Sequence, residues 1–119
     1  MKKNILYIED DRDIAEAVQI ILKNAGFNIN IAFSGNEGLK QAEKGGFDMF
    51  LLDIMLPDMS GYDIFIELKK LYIKARYVFL SAIPVSAERM RELVKDGVSD
   101  YITKPFAKED LIRRINILF

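Results

Sequence analysis

The sequence between Ile5 and Asp11 reads Ile-Leu-Tyr-Ile-Glu-Asp-Asp, an apolar run that ends directly in three acidic residues. A continuous apolar run of about strand length is typical of a β-strand that is buried on both faces. Residues 49–52 and 77–80 form two further runs of this kind. We therefore expect three central strands of a parallel sheet, the first of which ends at a cluster of carboxylates.

Two shorter segments, residues 28–31 and 100–103, place polar residues between apolar ones, as expected of strands at the edges of a sheet. Five segments with helical spacing follow the strands in turn. Their apolar faces are Ile14, Val18, Ile21 and Leu22 before Gly26; Leu39 and Ala42 between Ser34 and Gly45-Gly46; Ile64, Phe65 and Leu68 after Ser60; Met90, Leu93 and Val94 between Ser86 and Gly97; and Leu111, Ile112, Ile115 and Leu118.

Strand and helix thus alternate five times without a long linker, which predicts a single α/β domain over residues 1–119 with a doubly wound, five-stranded parallel sheet. With the second and fifth strands at the edges, right-handed crossovers favour the strand order 2-1-3-4-5. The topological switch point then lies between strands one and three. Ligands of such a sheet bind there, at the carboxyl ends of the strands.

The composition excludes several kinds of chemistry. The chain of 119 residues contains neither Cys nor His, so Ser-His-Asp and Cys-His catalysis and His- or thiolate-ligated zinc are ruled out. The formal net charge of −1 gives no field that favours nucleic acid or an anionic membrane as a direct partner. The first apolar run is far shorter than a signal sequence or a membrane span, which favours a cytoplasmic location.

Four acidic residues are expected on the two sides of the switch point: Glu9, Asp10 and Asp11 after the first strand, and Asp53 after the third. Such crowding of carboxylates is unfavourable without a cation, and oxygen ligands of this kind suit Mg²⁺. The alternative to a metal site is that these acids are solvated loop residues or helix caps. For Asp11, which stands just ahead of the first helix, this alternative is as well supported as a metal-binding role. Asp10 and Asp53 follow buried runs, where an unpaired charge is disfavoured.

Three further side chains fall at or near the same rim of the sheet. Lys104 precedes Pro105, and a cis bond there would aim the ammonium inward. Ser81 ends the fourth strand and is interpreted from its spacing as a capping or turn residue, with donation to a bound anion as the alternative. Tyr101, on the edge strand, is expected to be half-buried packing.

A group of charged residues is interpreted as a solvated face, or else as a partner surface: Arg89, Arg91, Asp96, Asp100, Arg113 and Arg114.

Taken together, residues 5–11, 52–61 and 100–106, with Ser81, resemble the receiver domain of two-component response regulators. The resemblance covers all 119 residues, implies a flavodoxin-like (βα)5 fold, and is greatest to receivers attached to winged-helix DNA-binding domains. It leaves open whether the receiver is free-standing or belongs with an output domain. DNA would then be contacted through that output domain and not by the receiver itself.

The resemblance implies that Asp53 accepts a phosphoryl group from a phosphohistidine on a sensor histidine kinase. Mg²⁺ would be held by Asp10, Asp53 and the Met55 carbonyl, with Glu9 binding through water and Asp11 as a further candidate. Lys104 and Ser81 would bind phosphoryl oxygens. The domain would catalyse its own phosphorylation and dephosphorylation without being a conventional enzyme.

The resemblance also implies a switch, in which Ser81 moves inward and Tyr101 fills the vacated space. The surface of helix 4, strand 5 and helix 5 would then change to control an output such as transcription, with a homodimer through that surface as a candidate. Two features depart from the usual pattern. Ser81 stands where Thr is more usual, and Pro84 follows Ile83 in the loop that has to move.

Other classes of function fit less well. A phosphatase of the haloacid-dehalogenase type needs a second Asp two residues after the nucleophile, where this chain has Met55. A flavodoxin-like nucleotide- or flavin-binding module needs a Gly-rich loop after the first strand, where this chain has acids. A pseudo-receiver that acts only as an interaction module stays open as the alternative.

Overall fold

A computed structural model describes residues 2–72 and 74–119 of the chain. Strands and helices alternate along it. Their bounds are β1 Asn4–Ile8, α1 Arg12–Asn24, β2 Asn28–Ala32, α2 Gly35–Ala42, β3 Met49–Leu52, α3 Gly61–Leu71, β4 Arg76–Ser81, α4 Ala87–Asp96, β5 Asp100–Thr103 and α5 Lys108–Ile117.

The five strands form one parallel sheet in the order β2-β1-β3-β4-β5, which confirms the predicted fold and strand order. The three continuous apolar runs are the central strands, and β2 and β5 are the edges. β1 and β3 are in register, with Tyr7 beside Leu51 and Ile8 beside Leu52. Since both strands then end at the same level, the residues that follow them meet at one rim of the sheet.

The core lies on both faces of this sheet because side chains alternate along each strand. Ile5 and Tyr7 pack on the face that α1 and α5 cover, whereas Leu6 and Ile8 pack on the face that α2, α3 and α4 cover. All four side chains are fully buried. Strand β1 is therefore held between two apolar layers, so the backbone that leads to the acids has little freedom to shift.

Helices α1 to α4 begin where capping chemistry predicts. The side chains of Asp11, Ser34, Ser60 and Ser86 each accept backbone N–H groups in the first turn of α1, α2, α3 and α4. Helix α4 ends at Gly97, whose φ of 109° lies in the left-handed region that glycine adopts without strain. Helix α5 follows Ala107, which has no side chain that can cap it.

Two details of the predicted helices differ in the structure. The sequence predicts that Val94 lies with Leu93 on the apolar stripe of α4, but the Val94 side chain is 53% exposed whereas Leu93 is buried. The stripe is narrower than predicted because α4 covers the sheet near its edge. Leu118 lies just beyond α5, which ends at Ile117, although it still packs against the core. Within residues 2–72 and 74–119, no helix has the length and apolar character needed to cross a membrane.

Candidate metal and phosphoryl site

Glu9 and Asp53 are held in place by the sheet that they leave. The N–H of Glu9 donates to the carbonyl of Ala32 at 2.9 Å, and the N–H of Asp53 donates to the carbonyl of Ile8 at 3.2 Å. Each of the two acids therefore continues the hydrogen-bonded ladder one residue past its strand. Their backbones are as well fixed as the strands, which suits a site that must keep its geometry.

Three carboxylates converge at this rim. Oxygen atoms of Glu9, Asp10 and Asp53 all lie within 4.8 Å of one another. Glu9 is 1% exposed and Asp53 is 8% exposed, whereas Asp10 faces solvent. A set of carboxylate oxygens at this spacing, open to solvent on one side, fits a hard divalent cation such as Mg²⁺, which keeps several of its waters.

Lys104 reaches the same cluster from the end of β5. The Lys104–Pro105 peptide bond is cis, and the backbone N–H of Lys104 donates to the carbonyl of Ser81 at 2.8 Å. Its ammonium is paired with the Glu9 carboxylate and lies 3.2 Å from the Asp53 carboxylate. The sequence placed Lys104 at this rim, and the structure brings it into contact with two of the acids.

The cluster carries more negative than positive charge. Burial raises the pKa of Glu9 above its usual range, and the charge of Asp53 adds to this, while Lys104 opposes it. Among the described residues, Lys104 is the cation within ion-pair distance of Glu9 and Asp53, and no side-chain cation lies within that distance of Asp10. One ammonium does not balance three carboxylates, so the arrangement has an electrostatic preference for a further cation.

Asp11 and Met55 have different positions in the site. One carboxylate oxygen of Asp11 accepts the N–H groups of Asp13 and Ile14, so this side chain caps α1 and is not among the three clustered carboxylates. The N–H of Met55 donates to Oδ1 of Asp53 at 3.2 Å, and the Met55 side chain is 68% exposed. The loop that carries Met55 is thereby held against the Asp53 side chain.

Ser81 and Tyr101 are linked through the backbone of Ile83. The buried Ser81 hydroxyl oxygen accepts the N–H of Ile83 at 3.3 Å, which is the turn role that its spacing predicted. The Tyr101 hydroxyl donates to the carbonyl of Ile83. Tyr101 is 8% exposed, and burial raises its pKa. It is more buried than the expected half-buried position, because its ring lies beside Phe79.

Sequence reasoning missed three contributors to the site. Tyr7, fully buried in β1, donates its hydroxyl to Oε1 of Glu9 at 3.0 Å. Asp58 accepts the N–H groups of Gly35 and Asn36, both at 2.8 Å, and so ties the loop after β3 to the start of α2. The two-residue spacing of Tyr7 and Glu9, which puts both side chains on one face of a strand, was the available signal for the first contact.

The third missed contributor is Gly61, the first residue of α3. A Cβ built at this position would overlap the carbonyl oxygen of Asp53. The N–H of Gly61 also donates to the carbonyl of Ile54 at 2.8 Å. The start of α3 thus packs directly on the backbone of Asp53, and a residue without a side chain is what allows this close approach.

The charged face of α4, β5 and α5 is largely paired within the chain. Arg114 contacts both carboxylate oxygens of Asp100, at 2.7 and 2.8 Å, and this contact raises the pKa of Arg114. Arg89 pairs with Glu92 at 2.9 Å. The Arg89–Glu92 pair is exposed and contributes little to stability, whereas the Arg114–Asp100 pair is partly buried.

The comparison with protein families identifies the class. The family described as response regulator receiver domain matches residues 5–116 of the chain. The chain therefore belongs to the receiver domains of two-component response regulators, as the resemblance predicted.

Individual relatives agree with this assignment. The chain is 36% identical over 113 residues to the transcriptional regulatory protein DltR of Streptococcus agalactiae, a match that covers 95% of the chain and 50% of DltR. It thus spans about half the length of this relative. A receiver domain protein from Methanospirillum hungatei superimposes with a TM-score of 0.90 at 30% identity, covering 99% of the chain and 94% of that structure. The response regulator TrrA of Thermotoga maritima, solved in complex with Mg²⁺ and BeF, gives a TM-score of 0.84 at 28% identity, covering 98% of the chain and 99% of TrrA.

Proposed function

We propose that this receiver domain accepts a phosphoryl group on Asp53 from the phosphohistidine of a sensor histidine kinase, with Mg²⁺ bound at the acidic cluster. The observation that carries the proposal is the position of Asp53. Its carboxylate is 8% exposed, lies within 4.8 Å of two other carboxylates, and has the Lys104 ammonium 3.2 Å away. A carboxylate so placed can attack a phosphoryl group only where cations offset the repulsion.

The proposed Mg²⁺ ligands come from the acidic cluster and from the loop that follows β3. Asp10 and Asp53 would bind directly, together with the Met55 carbonyl, and Glu9 would bind through water. Asp11 is a weaker candidate, because its side chain already caps α1. When bound, Mg²⁺ supplies positive charge that stabilises the transferring phosphoryl group. The complex of TrrA with Mg²⁺ and BeF supports this choice of ion.

The chain's own groups position the reaction. A carboxylate oxygen of Asp53 forms the new P–O bond as the P–N bond to the kinase imidazole breaks, and the imidazole leaves with its electron pair. Lys104 lies where its ammonium can pair with a phosphoryl oxygen, and the Ser81 hydroxyl can donate to another. Hydrolysis of the aspartyl phosphate at the same site reverses the signal, so the domain catalyses both steps on itself without being a conventional enzyme.

The contacts of Ile83 support the proposed switch. Donation of the Ser81 hydroxyl to a phosphoryl oxygen draws Ser81 inward, and Ser81 holds the N–H of Ile83. The Tyr101 hydroxyl donates a hydrogen bond to the carbonyl of the same residue. Movement at Ser81 is therefore passed through the backbone of a single residue, Ile83, to Tyr101 and to the surface of α4, β5 and α5. Pro84 limits how far this loop can move.

That surface is the proposed route to the output. The similarity to a transcriptional regulatory protein supports a role in control of transcription, through a DNA-binding domain beyond this receiver.

A homodimer through α4, β5 and α5 on phosphorylation is part of the proposal. Light scattering after size-exclusion chromatography, with and without beryllofluoride and Mg²⁺, tests it. A mass that stays monomeric with beryllofluoride bound contradicts the dimer.

The direct test of phosphorylation is the intact mass after incubation with acetyl phosphate and Mg²⁺. We expect one added phosphoryl group on the wild-type protein and none with EDTA or in Asp53→Asn. Asp48→Asn is the matched control, since Asp48 precedes β3 as Asp53 follows it, and it should be phosphorylated normally. A folded wild-type protein that gains no mass under any condition contradicts the proposal and favours the phosphorylation-independent interaction module.

A further inference from the structure

Tyr7 is a polar side chain in the middle of the core. It lies in β1 between β2 and β3, and it is fully buried on the sheet face that α1 and α5 cover. A phenol in such a place is disfavoured unless its hydroxyl finds a hydrogen-bond partner. The partner is Oε1 of Glu9, at 3.0 Å. The one polar atom of the Tyr7 side chain is thus aimed at the acidic cluster.

Glu9 receives hydrogen bonds from three directions. Tyr7 and Lys104 donate to Oε1, and the N–H of Asp11 donates to Oε2 at 3.3 Å. Lys104 and Asp11 lie in loops, beyond the ends of β5 and β1, whereas Tyr7 lies inside a central strand. The Tyr7 hydroxyl is therefore the donor to Glu9 whose position the core determines.

We propose that Tyr7 is a positioning residue for the magnesium site, acting through Glu9. Its hydroxyl fixes the orientation of the Glu9 carboxylate and so fixes the place of the Lys104 ammonium, which Glu9 shares with Asp53. This inference rests on the proposed function, because it assumes that the acidic cluster binds Mg²⁺.

The consequence for the metal follows from charge. With Tyr7 in place, the Lys104 ammonium is shared between Oε1 of Glu9 and Oδ2 of Asp53, and the exposed Asp10 carboxylate is left for a metal. Without the hydroxyl, the Glu9 carboxylate can rotate about its last side-chain bond and move Lys104 with it. The ammonium, which already lies 3.2 Å from Oδ2 of Asp53, can then move closer to that carboxylate and compete more strongly with the metal for it. Loss of a group that orients a direct metal ligand typically weakens metal binding about 10–100-fold, and because Glu9 would bind through water we expect the loss of the Tyr7 hydroxyl to fall at the lower end of that range.

The test is a Mg²⁺ titration of the wild-type domain and Tyr7→Phe, followed by ¹H–¹⁵N NMR, which also reports whether each protein is folded. We expect the dissociation constant for Mg²⁺ to rise about tenfold in Tyr7→Phe. The rate of phosphorylation by acetyl phosphate should fall at low Mg²⁺ and recover at saturating Mg²⁺. A role limited to stability would leave the Mg²⁺ affinity of the folded protein unchanged.

Tyr77→Phe is the matched control. Tyr77 is also fully buried, one strand beyond β3, and its hydroxyl donates to the carbonyl of Tyr72 at 2.7 Å, away from the acids. This variant loses the hydroxyl hydrogen bond of an equally buried tyrosine, made to a backbone carbonyl, and should bind Mg²⁺ like the wild type. Equal weakening of Mg²⁺ binding in both variants overturns the inference, because it would reflect a general loosening of the core.

A double-mutant cycle with Glu9→Gln tests whether Tyr7 acts through Glu9. We expect the about tenfold effect of Tyr7→Phe to fall to less than about twofold when Glu9 is already Gln, since the oriented charge is then gone. An undiminished effect overturns the proposed route. Tyr7→Phe that binds Mg²⁺ like the wild type overturns the inference alone, whereas a wild-type domain that binds no Mg²⁺ overturns the proposed function as well.

Discussion

The two ends of the sheet carry polar residues in very different ways. At the amino end, Asn4, Asn28 and Asp48 are paired with one another or with backbone: Asn28 donates to the Asn4 side chain at 3.0 Å, and the Asn4 N–H donates to Asp48 at 2.8 Å. At the carboxyl end, Glu9, Asp10 and Asp53 converge. One end satisfies its polar groups internally, and the other is left with a surplus of charge of one sign.

This difference separates stability from function within a single sheet. Groups that pair with each other at the amino end fix the register of β1, β2 and β3, and a ligand would add nothing to them. Groups that repel each other at the carboxyl end are kept together by the strands, and their arrangement becomes favourable only when a cation joins them. Parallel α/β sheets bind their ligands at the carboxyl ends of their strands, and in this chain that is the end with the surplus of charge.

The largest expected effect comes from the ammonium at the carboxyl end. Lys104→Gln leaves the Glu9 and Asp53 carboxylates without their cation and removes the group that would pair with a phosphoryl oxygen. We expect the initial rate of phosphorylation by acetyl phosphate, measured by intact mass, to fall about 100-fold or more. Lys44→Gln, an exposed lysine after α2 near the amino end, is the control and should leave the rate unchanged. Similar rates in Lys104→Gln and the wild type would remove Lys104 from the mechanism.

The next effect is stabilisation by Mg²⁺. A ligand that binds only the folded protein at a hundredfold excess over its dissociation constant raises the free energy of unfolding by about 2.7 kcal/mol. We expect this gain, measured by urea unfolding with Mg²⁺ or EDTA, in the wild type and in Asp48→Asn. Asp10→Asn should lose most of it. A gain in Asp10→Asn equal to that of the wild type would place the metal elsewhere.

A smaller effect comes from the same substitution at the two ends of β3. In the absence of metal, Asp53→Asn relieves repulsion with Glu9 and Asp10 while Lys104 keeps Glu9 as its partner, so we expect the free energy of unfolding to rise by about 1 kcal/mol. Asp48→Asn weakens the hydrogen bond from Asn4 and should lower it by about 0.5 kcal/mol. Urea unfolding in EDTA measures both. Changes of the same sign would show that the comparison between the two ends does not hold.

The smallest effect concerns Asp58, an acid at the carboxyl end whose carboxylate accepts two backbone hydrogen bonds. It tests whether an acid at this end that has hydrogen-bond partners behaves like the paired acids at the amino end. Hydrogen bonds from Asn36 and Gly35 lower the pKa of Asp58 below its usual value. A lowered folded-state pKa means that this stabilisation is present above the unfolded pKa and is lost as the pH falls through the folded pKa. We expect Asp58→Asn to be less stable than the wild type by about 0.5 kcal/mol at neutral pH.

The same difference should disappear in acid, as measured by urea unfolding at a series of pH values. Asp58 would then behave like the paired acid Asp48 and not like Asp53, although it lies in the loop after β3. A difference that is constant with pH would mean that the Asp58 charge is not what stabilises the start of α2.

Local signals in the sequence predicted most of the fold. Three features depend on neighbouring residues alone and could therefore be predicted from the sequence. They are the apolar runs of β1, β3 and β4, the serine caps of α2, α3 and α4, and the left-handed glycine after α4. The strand order followed from the less apolar character of β2 and β5 and from the handedness of crossovers. The exposure of Val94 was missed because a helical stripe shows which face is apolar but not how wide the neighbouring sheet is.

The site was predicted as a set of residues and not as a set of contacts. That Asp10, Asp53 and Lys104 meet at one rim follows from the topology. The partners of Tyr7 and Asp58 do not, because a hydrogen bond depends on which way each side chain turns within a space that the whole fold defines. Asp58 contacts Gly35 from 23 residues away, a distance over which no local pattern carries information.

The ion pair between Lys104 and Glu9 joins residues that are 95 positions apart in the chain. Its formation requires β1 to be in the sheet and β5 to have docked beside β4, so the pair can form only near the completion of folding. A chain still emerging from the ribosome, or one whose last strand has detached, holds the acids without their ammonium. Because contacts of such long sequence separation form slowly, the candidate site acquires its ammonium late in folding, after the acids have already been brought together.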